Sequence, residues 1–350
     1  MKYKKIYLGK SNGVPVYFDA EEAPNKHMLL IGSSGSGKSV QAQNIILNLA
    51  RQGETVVVLD IHSVFSKEQV FHVYRQELEM YLNEVDVYST GIPCGLFTPV
   101  KFPDGTLEKP ADTAGAVTEV LARTTGMGAK QKNILRKAAW EVLNKGLYGK
   151  YGIRALDYEL ASNCTSAAEE VKDKLYTVTA HNVFRPGSPF IRQGKINVIR
   201  LGKFDLMTQE IISEMVLSYL WRMAAASGFK EDGLFIFADE FHNLISGKRC
   251  ALNQVIAEGR KLDLNLILAT QQFPSNTQQA AQGFMQSGLV LFFNPCAGQL
   301  NATARFTDPG NVKKWAEILQ SLRKGEFVAS GSLVAGNTRY NKPLKTSNRQ

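Results

Sequence analysis

The sequence predicts an α/β fold: a doubly wound, mostly parallel sheet interrupted by an all-helical insertion. Three observations predict it. A short apolar stretch runs into a loop of glycines and serines and then into a helical pattern at 27–50. Further apolar runs are separated by helical patterns, which is typical of parallel sheets. A long stretch from about 106 to 180 shows helical periodicity throughout.

Composition places the chain among globular proteins. It has 350 residues, of which 44% are hydrophobic and 21% charged. No apolar run approaches the roughly 20 residues that span a bilayer, and the basic N-terminus lacks the apolar core of a signal peptide. The four cysteines are scattered singly, so neither a zinc site nor a disulfide framework is indicated. We therefore predict a cytoplasmic protein with no membrane span.

Positive charge is concentrated at both ends of the chain. The formal net charge is +9. Residues 312–350 carry eight Lys or Arg against two Glu, and the first ten residues carry four Lys and no acid. Such ends fit either an ordinary solvated surface or contact with a polyanion such as nucleic acid.

The segment "GSSGSGKS" at 32–39 matches the phosphate-binding pattern G-x-x-x-x-G-K-[ST]. Glycine and serine let successive backbone N–H groups turn toward phosphate oxygens, and the following helix N-terminus adds a positive dipole end. Lys38 would bind the β- and γ-phosphates, and the Ser39 hydroxyl would complete the coordination of Mg²⁺. We predict that ATP and Mg²⁺ bind here. The predicted nucleotide contacts are Gly32, Ser33, Ser34, Gly35, Ser36, Gly37, Lys38, Ser39 and Val40.

Two acids follow the apolar run 234–238, as Walker B acids do. Asp239 is the candidate Mg²⁺ ligand, and Glu240 is placed to polarise the attacking water. The run 264–273 is a further strand, and Gln271 near its end could sense the γ-phosphate; its alternative role is an ordinary strand end. Together these features predict a RecA-like P-loop NTPase of the ASCE type, with its ligand at the carboxyl ends of the strands.

The remaining elements complete a core of six strands. Runs at 54–62, 195–204 and 287–295 read as buried strands beside 27–31, 234–238 and 264–273. The helical stretch falls between the second and third of them, and the stripe of Ile134, Leu135, Ala138, Val142 and Leu143 reads as core. We accordingly divide the chain into 1–105, the first part of the ATPase domain; 106–185, the helical insertion; and 186–350, the second part.

Several segments together resemble the HerA and FtsK superfamily of DNA-pumping ATPases. "VVVLDIH", "LFIFADEFHNL" and above all "AEGRKLDLNLILATQQFPS" at 257–275 carry the likeness, which extends to the conjugative type IV secretion ATPases. The C-terminal "LQSLRKGEFVASGSLVAGNTRYNKP" is similar to the closing hairpin of HerA-like domains. The resemblance covers about residues 5 to 335.

The resemblance implies a homo-oligomeric ring, most simply a hexamer, with DNA threading its pore. In such rings a neighbouring subunit supplies an arginine to the nucleotide. Arg260 stands at the family's "GRK" position and is the candidate; its alternative role is a cap for the preceding helix. From the loop "LISGKRCAL" we predict that Lys248 and Arg249 contact DNA phosphates, although a solvated turn fits those residues equally well.

Three functions fit this reading. The first is a DNA translocase, helicase-like and most simply acting on double-stranded DNA, that works with a partner nuclease or effector. The second is a conjugation or type IV secretion motor serving a membrane channel. The third is an ATPase subunit that gates a phage-defence effector. We expect a bare motor domain without the N-terminal β-barrel of HerA proteins or the membrane helices and winged helix of FtsK proteins. No "LSGGQ" signature is present, which disfavours an ABC-type ATPase.

Overall fold

The computed structural model describes residues 5–227, 233–241, 250–271 and 286–349. Within these residues thirteen strands form one mixed sheet. The strands are β1 (Lys5–Ser11), β2 (Val14–Asp19), β3 (Met28–Ile31), β4 (Thr55–Asp60), β5 (Leu82–Asp86), β6 (Ile196–Arg200), β7 (Leu234–Ala238), β8 (Leu264–Thr270), β9 (Leu289–Phe292), β10 (Glu326–Gly331), β11 (Leu333–Ala335), β12 (Thr338–Tyr340) and β13 (Leu344–Ser347).

Helices connect and cover these strands. They are α1 (Lys38–Arg51), α2 (Arg75–Tyr81), α3 (Val87–Thr90), α4 (Pro110–Thr124), α5 (Ala129–Asn144), α6 (Tyr148–Tyr151), α7 (Ala155–Ala161), α8 (Ser166–Ala180), α9 (Leu206–Ser227), α10 (Ala251–Glu258), α11 (Leu300–Thr307) and α12 (Val312–Ser321). Short 3₁₀ turns lie at Gly152–Arg154, Gly259–Leu262, Ala297–Gln299 and Pro309–Asn311.

The sheet has a parallel half and an antiparallel half. Strands β9-β3-β8-β7-β4-β6-β5 are neighbours in that order and all parallel. The antiparallel half runs β12-β11-β2-β1-β13-β10 and joins β9 through β10. Strands β3, β4, β7, β8 and β9 are buried along their whole length, as near-continuous apolar runs require. The predicted α/β class with a mostly parallel sheet core is confirmed.

Each of the six predicted strands contains an observed one, usually with shorter bounds. The strand expected at 195–204, for example, is β6, Ile196–Arg200. Strand β5 was missed because "LNEVD" is polar and only half-buried, so that no apolar run marks it. The helices α4 to α8 lie between the strands expected at 54–62 and 195–204, as predicted, but the missed strand β5 lies in the same interval and precedes them.

The helical insertion packs onto the sheet instead of standing apart from it. Leu121 of α4, Leu135 of α5 and Leu175 of α8 belong to the same buried cluster as Val57 and Leu59 of β4. The apolar stripe of α5 is core, as expected, with Leu135, Ala138 and Val142 buried. One continuous core of this kind holds the insertion against one face of the sheet. The division of the chain at 106 and 185 stays a prediction.

Helix α1 lies on the other face, and polar side chains anchor it. The Gln41 side-chain amide donates to the carbonyl of Leu8 at 3.0 Å, and Asn44 donates to the carbonyl of Tyr7 at 2.8 Å, both in β1. Gln43 donates to the carbonyl of Val64 at 2.8 Å in the segment after β4. These bonds satisfy buried polar groups and fix the position of α1 relative to the sheet.

Candidate nucleotide-binding site

Three neighbouring parallel strands end at the same edge of the sheet. In the register of β3 with β8, Ile31 stands opposite Thr270; in the register of β7 with β8, Ala238 stands opposite Leu268. The glycine-rich loop leaves β3 there, the two acids follow β7, and Gln271 follows β8. This carboxyl edge, defined by the ends of β3, β7 and β8, brings the predicted catalytic groups together as the parallel arrangement requires.

The loop from Gly32 to Gly37 has a shape that side chains would obstruct. A Cβ on Gly32 would lie 2.5 Å from Cβ of Phe293, so the loop can pass β9 only as glycine. Gly37 has φ of +109°, in the region that favours glycine, and its Cβ would lie 3.0 Å from the backbone nitrogen of Gly325. Helix α1 begins directly afterwards at Lys38, so its first-turn N–H groups point toward the loop.

Lys38 is folded back onto its own loop. The Lys38 side chain is largely buried, with 7% of the residue exposed. Its Nζ donates to the carbonyl of Gly32 at 2.7 Å and to that of Ser33 at 3.1 Å. Burial lowers the pKa of Lys38, and the nearby carboxylates of Glu240 and Asp239 oppose that shift. An anion in the loop would therefore offer this ammonium a stronger partner than two carbonyls.

The two acids occupy different environments. Asp239 is 8% exposed, and its pKa is raised, first by burial and then by the adjacent negative charge of Glu240. The backbone N–H of Glu240 donates to Oδ1 of Asp239 at 3.0 Å. Glu240 itself has φ of +47°, unusual for a residue with a side chain. Its Oε1 accepts a hydrogen bond from Nε2 of Gln271 at 2.7 Å.

These groups line one cavity of about 820 Å³, large enough for a drug-sized ligand. Of the predicted residues, Ser34, Gly35, Gly37, Lys38, Ser39, Val40, Asp239, Glu240 and Gln271 line it. Gly32, Ser33 and Ser36 shape the loop behind that surface. Residues that sequence reasoning missed also line the cavity: Gln43, His62, Val64, Gln69, Cys296, Gln299 and Lys324.

The cavity suits Mg²⁺ in the presence of a phosphate ligand. Among the described residues no group of three or more His, Cys, Asp or Glu side chains could hold a metal ion by itself. Ser39 and Asp239 face the same space, and one hydroxyl with one carboxylate is the usual protein share of a magnesium site that phosphate oxygens complete. A divalent cation there would also offset the repulsion between Asp239 and Glu240.

Lys324 reaches the cavity from the far end of the sequence. The turn before β10 lies against the glycine-rich loop, with the N–H of Gly325 donating to the carbonyl of Ser36 at 2.9 Å. The last described residues hold that turn: Asn348 N–H donates to the Gly325 carbonyl at 3.0 Å, and Arg349 Nε donates to the Lys324 carbonyl at 2.8 Å. No local pattern marks Lys324, because only the antiparallel half of the sheet brings it there.

Arg260 lies away from this cavity. It is exposed in the 3₁₀ turn Gly259–Leu262, which precedes β8 and therefore sits at the opposite, amino edge of the sheet. The seven residues of β8 separate the two edges, a span of about 20 Å at the usual rise per residue. Arg260 cannot serve the nucleotide of its own chain. Lys248 and Arg249 lie outside the described residues.

No helix within the described ranges is long and apolar enough to cross a membrane.

Comparison with known proteins gives a family and a fold. The family described as "Helicase HerA, central domain" matches residues 6–220, more than half of the chain. VirB4 of Thermoanaerobacter pseudethanolicus has a similar structure, with a TM-score of 0.73 and 15% identity over 99% of this chain and 96% of that one. The plasmid coupling protein TrwB in complex with ADP and Mg²⁺ aligns with a TM-score of 0.63 and 14% identity over 100% of this chain and 91% of that one. No curated protein matches in sequence.

Proposed function

Because the chain belongs to the HerA helicase central-domain family, we propose that it is an ATP-driven motor that moves double-stranded DNA through a ring of identical subunits. The chain is an ATPase of that family, related in fold to conjugative ATPases. The observation that carries the proposal is the convergence of Lys38, Ser39, Asp239 and Glu240 on one cavity at the carboxyl edge.

Each of these residues has a role in phosphoryl transfer to water. The loop amides and Lys38 bind the phosphates, and Ser39 with Asp239 holds Mg²⁺. The cation neutralises charge on the β- and γ-phosphate oxygens. Glu240 orients and polarises the attacking water, since its carboxylate borders the same cavity as Lys38. Structures of TrwB hold ADP with Mg²⁺ and a non-hydrolysable ATP analogue, which supports the same ligands here.

A ring explains the position of Arg260. The residue is exposed at the amino edge, about 20 Å from its own nucleotide site by the length of β8. A guanidinium stabilises charge on the transferring phosphoryl group only at direct contact. We propose that Arg260 acts in the cavity of a neighbouring subunit, and that head-to-tail contacts of this kind close into a ring, most simply a hexamer.

DNA contact follows from charge. The net charge of +9, with its excess at both ends of the chain, favours phosphate contacts that carry little sequence preference. Lys248 and Arg249 are our proposed pore contacts. Neutralising both should weaken binding about equally for unrelated DNA sequences and reduce the salt dependence of binding. A partner nuclease or effector would use the movement of the DNA that this motor drives.

A conjugation or secretion motor is the second candidate. Similarity of fold to VirB4 and to TrwB, which is a conjugative coupling protein, extends over nearly the whole chain. Stable co-purification with a membrane channel, without stimulation by free DNA, would favour this candidate over a free translocase.

The decisive experiment measures Mg²⁺-dependent ATP hydrolysis with and without double-stranded and single-stranded DNA. Lys38→Ala should abolish turnover and weaken ATP binding, because the ammonium interacts with phosphate in both the ground and transition states. Lys137→Ala is the matched control: Lys137 is exposed on α5 and is not one of the residues that line the cavity. Failure of the wild-type chain to hydrolyse ATP would refute the proposal. If the chain hydrolyses ATP but neither form of DNA stimulates it, the proposal that the chain moves DNA would be wrong.

A further inference from the structure

Lys324 lies in a tight turn beside the glycine-rich loop. The N–H of Glu326 donates to the carbonyl of Arg323 at 2.9 Å, which closes a β-turn with Lys324 at its second position. Gly325 at the third position has φ of +81°, as a type II turn requires. The N–H of Gly325 also donates to the carbonyl of Ser36 at 2.9 Å. The backbone that carries Lys324 to the cavity wall is therefore fixed to the phosphate-binding loop itself.

The acid nearest to Lys324 in sequence is occupied by other groups. The carboxylate of Glu326 pairs with Lys345 at 3.4 Å and with Arg349 at 3.8 Å. It also accepts a hydrogen bond from the backbone N–H of Arg323 at 3.0 Å. Within the described parts of the chain no carboxylate forms an ion pair with Lys324. Its exposed ammonium therefore adds positive charge to the wall of the cavity and favours an anionic ligand there.

The order of the strands places Lys324 and the two acids on opposite sides of the loop. The loop follows β3, Asp239 follows β7, and Lys324 precedes β10, which runs antiparallel to β9 and so begins at the carboxyl edge. Strands β10 and β7 each lie two strands from β3, in opposite directions. At about 4.8 Å between neighbouring strands, each separation is about 10 Å. A nucleotide whose γ-phosphate meets Asp239 and Glu240 therefore extends its α-phosphate across the loop toward Lys324.

Building on the proposed function, we propose that Lys324 binds the α-phosphate of the nucleotide. Lys38 serves the β- and γ-phosphates, and Lys324 supplies the positive charge at the nucleoside end of the same chain of phosphates. ATP and ADP share the α-phosphate, so Lys324 strengthens both complexes equally. It sets how tightly substrate and product are held, and it takes no part in the cleavage of the γ-phosphoryl bond.

The test compares two neighbouring cations of one turn. Lys324→Ala and Arg323→Ala each remove one positive charge from an exposed residue, but Arg323 is not one of the residues that line the cavity. Mg²⁺ with ADP and Mg²⁺ with β,γ-imido-ATP are titrated by calorimetry into the full chain and into each variant. Thermal unfolding without nucleotide checks the fold of both variants. If Lys324→Ala does not fold, Lys324→Gln replaces it, since glutamine keeps an unbranched side chain without the charge.

We expect Lys324→Ala to weaken the binding of both nucleotides about tenfold, which corresponds to the loss of one charge-assisted hydrogen bond. Arg323→Ala should change neither affinity by more than about twofold, because solvent and salt screen a charge outside the cavity. Lys324→Arg should keep most of the affinity, because a guanidinium also binds phosphate. In steady-state hydrolysis, Lys324→Ala should raise KM for ATP about tenfold without lowering kcat, since the lost contact is the same in the ground and transition states.

Three results would overturn the assignment of Lys324 to the α-phosphate while leaving the ATPase intact. The first is a loss of affinity for β,γ-imido-ATP well beyond that for ADP, which would place the ammonium at the γ-phosphate. The second is an equal effect of Lys324→Ala and Arg323→Ala, which would show that only the general charge of the turn matters. The third is a fall of kcat at saturating ATP. A wild-type chain that binds neither nucleotide would refute the proposed function, and this assignment with it.

Discussion

The C-terminus of the described chain is fastened to the phosphate-binding helix by a single side chain, which makes Asn348→Ala an informative perturbation. Asn348 Nδ2 donates to Oε1 of Gln41 at 2.7 Å and to the hydroxyl of Tyr74 at 3.2 Å. Gln41 lies in the first turn of α1 and is 1% exposed. Its own amide donates to the carbonyl of Leu8 at 3.0 Å, so Oε1 depends on Asn348.

The expected cost follows from these contacts. A typical hydrogen bond contributes about 0.5–1.5 kcal/mol net, and a buried acceptor left without a donor costs about 1–3 kcal/mol. Both bonds of Asn348 are partly buried, but Gln41 is 1% exposed and Tyr74 7%, so we assign most of the cost to the Gln41 oxygen. We expect a loss of about 2 kcal/mol in the free energy of unfolding. For a chain of 350 residues this corresponds to a fall of about 3 °C in Tm.

Equilibrium unfolding in urea, followed by circular dichroism, measures this loss. The control is Arg349→Ala, one residue further on. Arg349 is exposed; its Nε donates to the carbonyl of Lys324 at 2.8 Å and its guanidinium forms a 3.8 Å ion pair with Glu326 at the surface, so its removal should cost about 0.5 kcal/mol or less. Asn348→Ala should also weaken ATP binding, because α1 carries Lys38. Equal losses for the two variants would refute the view that Asn348 braces the phosphate-binding helix.

Three further outcomes can be measured. Glu240→Gln should keep the affinity for ATP within about threefold of the wild-type value and lower the turnover rate by about 100-fold or more. The reason is that the variant loses water activation but keeps its phosphate contacts. A normal turnover rate would show that Glu240 has no catalytic role. Arg260→Ala chains and Lys38→Ala chains should each be inactive alone, and a mixture of the two should partly restore ATP hydrolysis. If rings that are proven to contain both chains show no activity, Arg260 does not act across the subunit interface. Burial lowers the pKa of His27 to about 4, below its usual 6.5. The folded state thus disfavours the protonated ring, and stability should fall by about 2 kcal/mol between pH 7 and pH 5. In the His27→Asn variant the free energy of unfolding, measured by urea titration, should depend less on pH. If its slope against pH is unchanged, other groups cause the pH dependence.

Much of the site was predictable because its signals are local. The loop 32–39 needs glycine where the backbone turns or passes close to β9, and that requirement is written in consecutive residues. Asp239 follows a fully buried apolar strand, a pattern that is equally local. Hydrophobic pattern does not reveal a strand that is only partly buried. Strand β5 lies at the edge of the sheet and is half-buried, so its sequence contains no apolar run.

The sequence by itself determined the nucleotide chemistry, the parallel core strands and the helical insertion, because glycine spacing and hydrophobic period act within a few residues. Only the tertiary structure decided the partners. It joined Asn348 to Gln41 across 307 positions, brought Lys324 to the glycine-rich loop, and closed the amide of Gln271 on Glu240. The physical reason is that strand order decides such contacts, and strand order depends on the burial of whole faces of the sheet, which no short segment encodes.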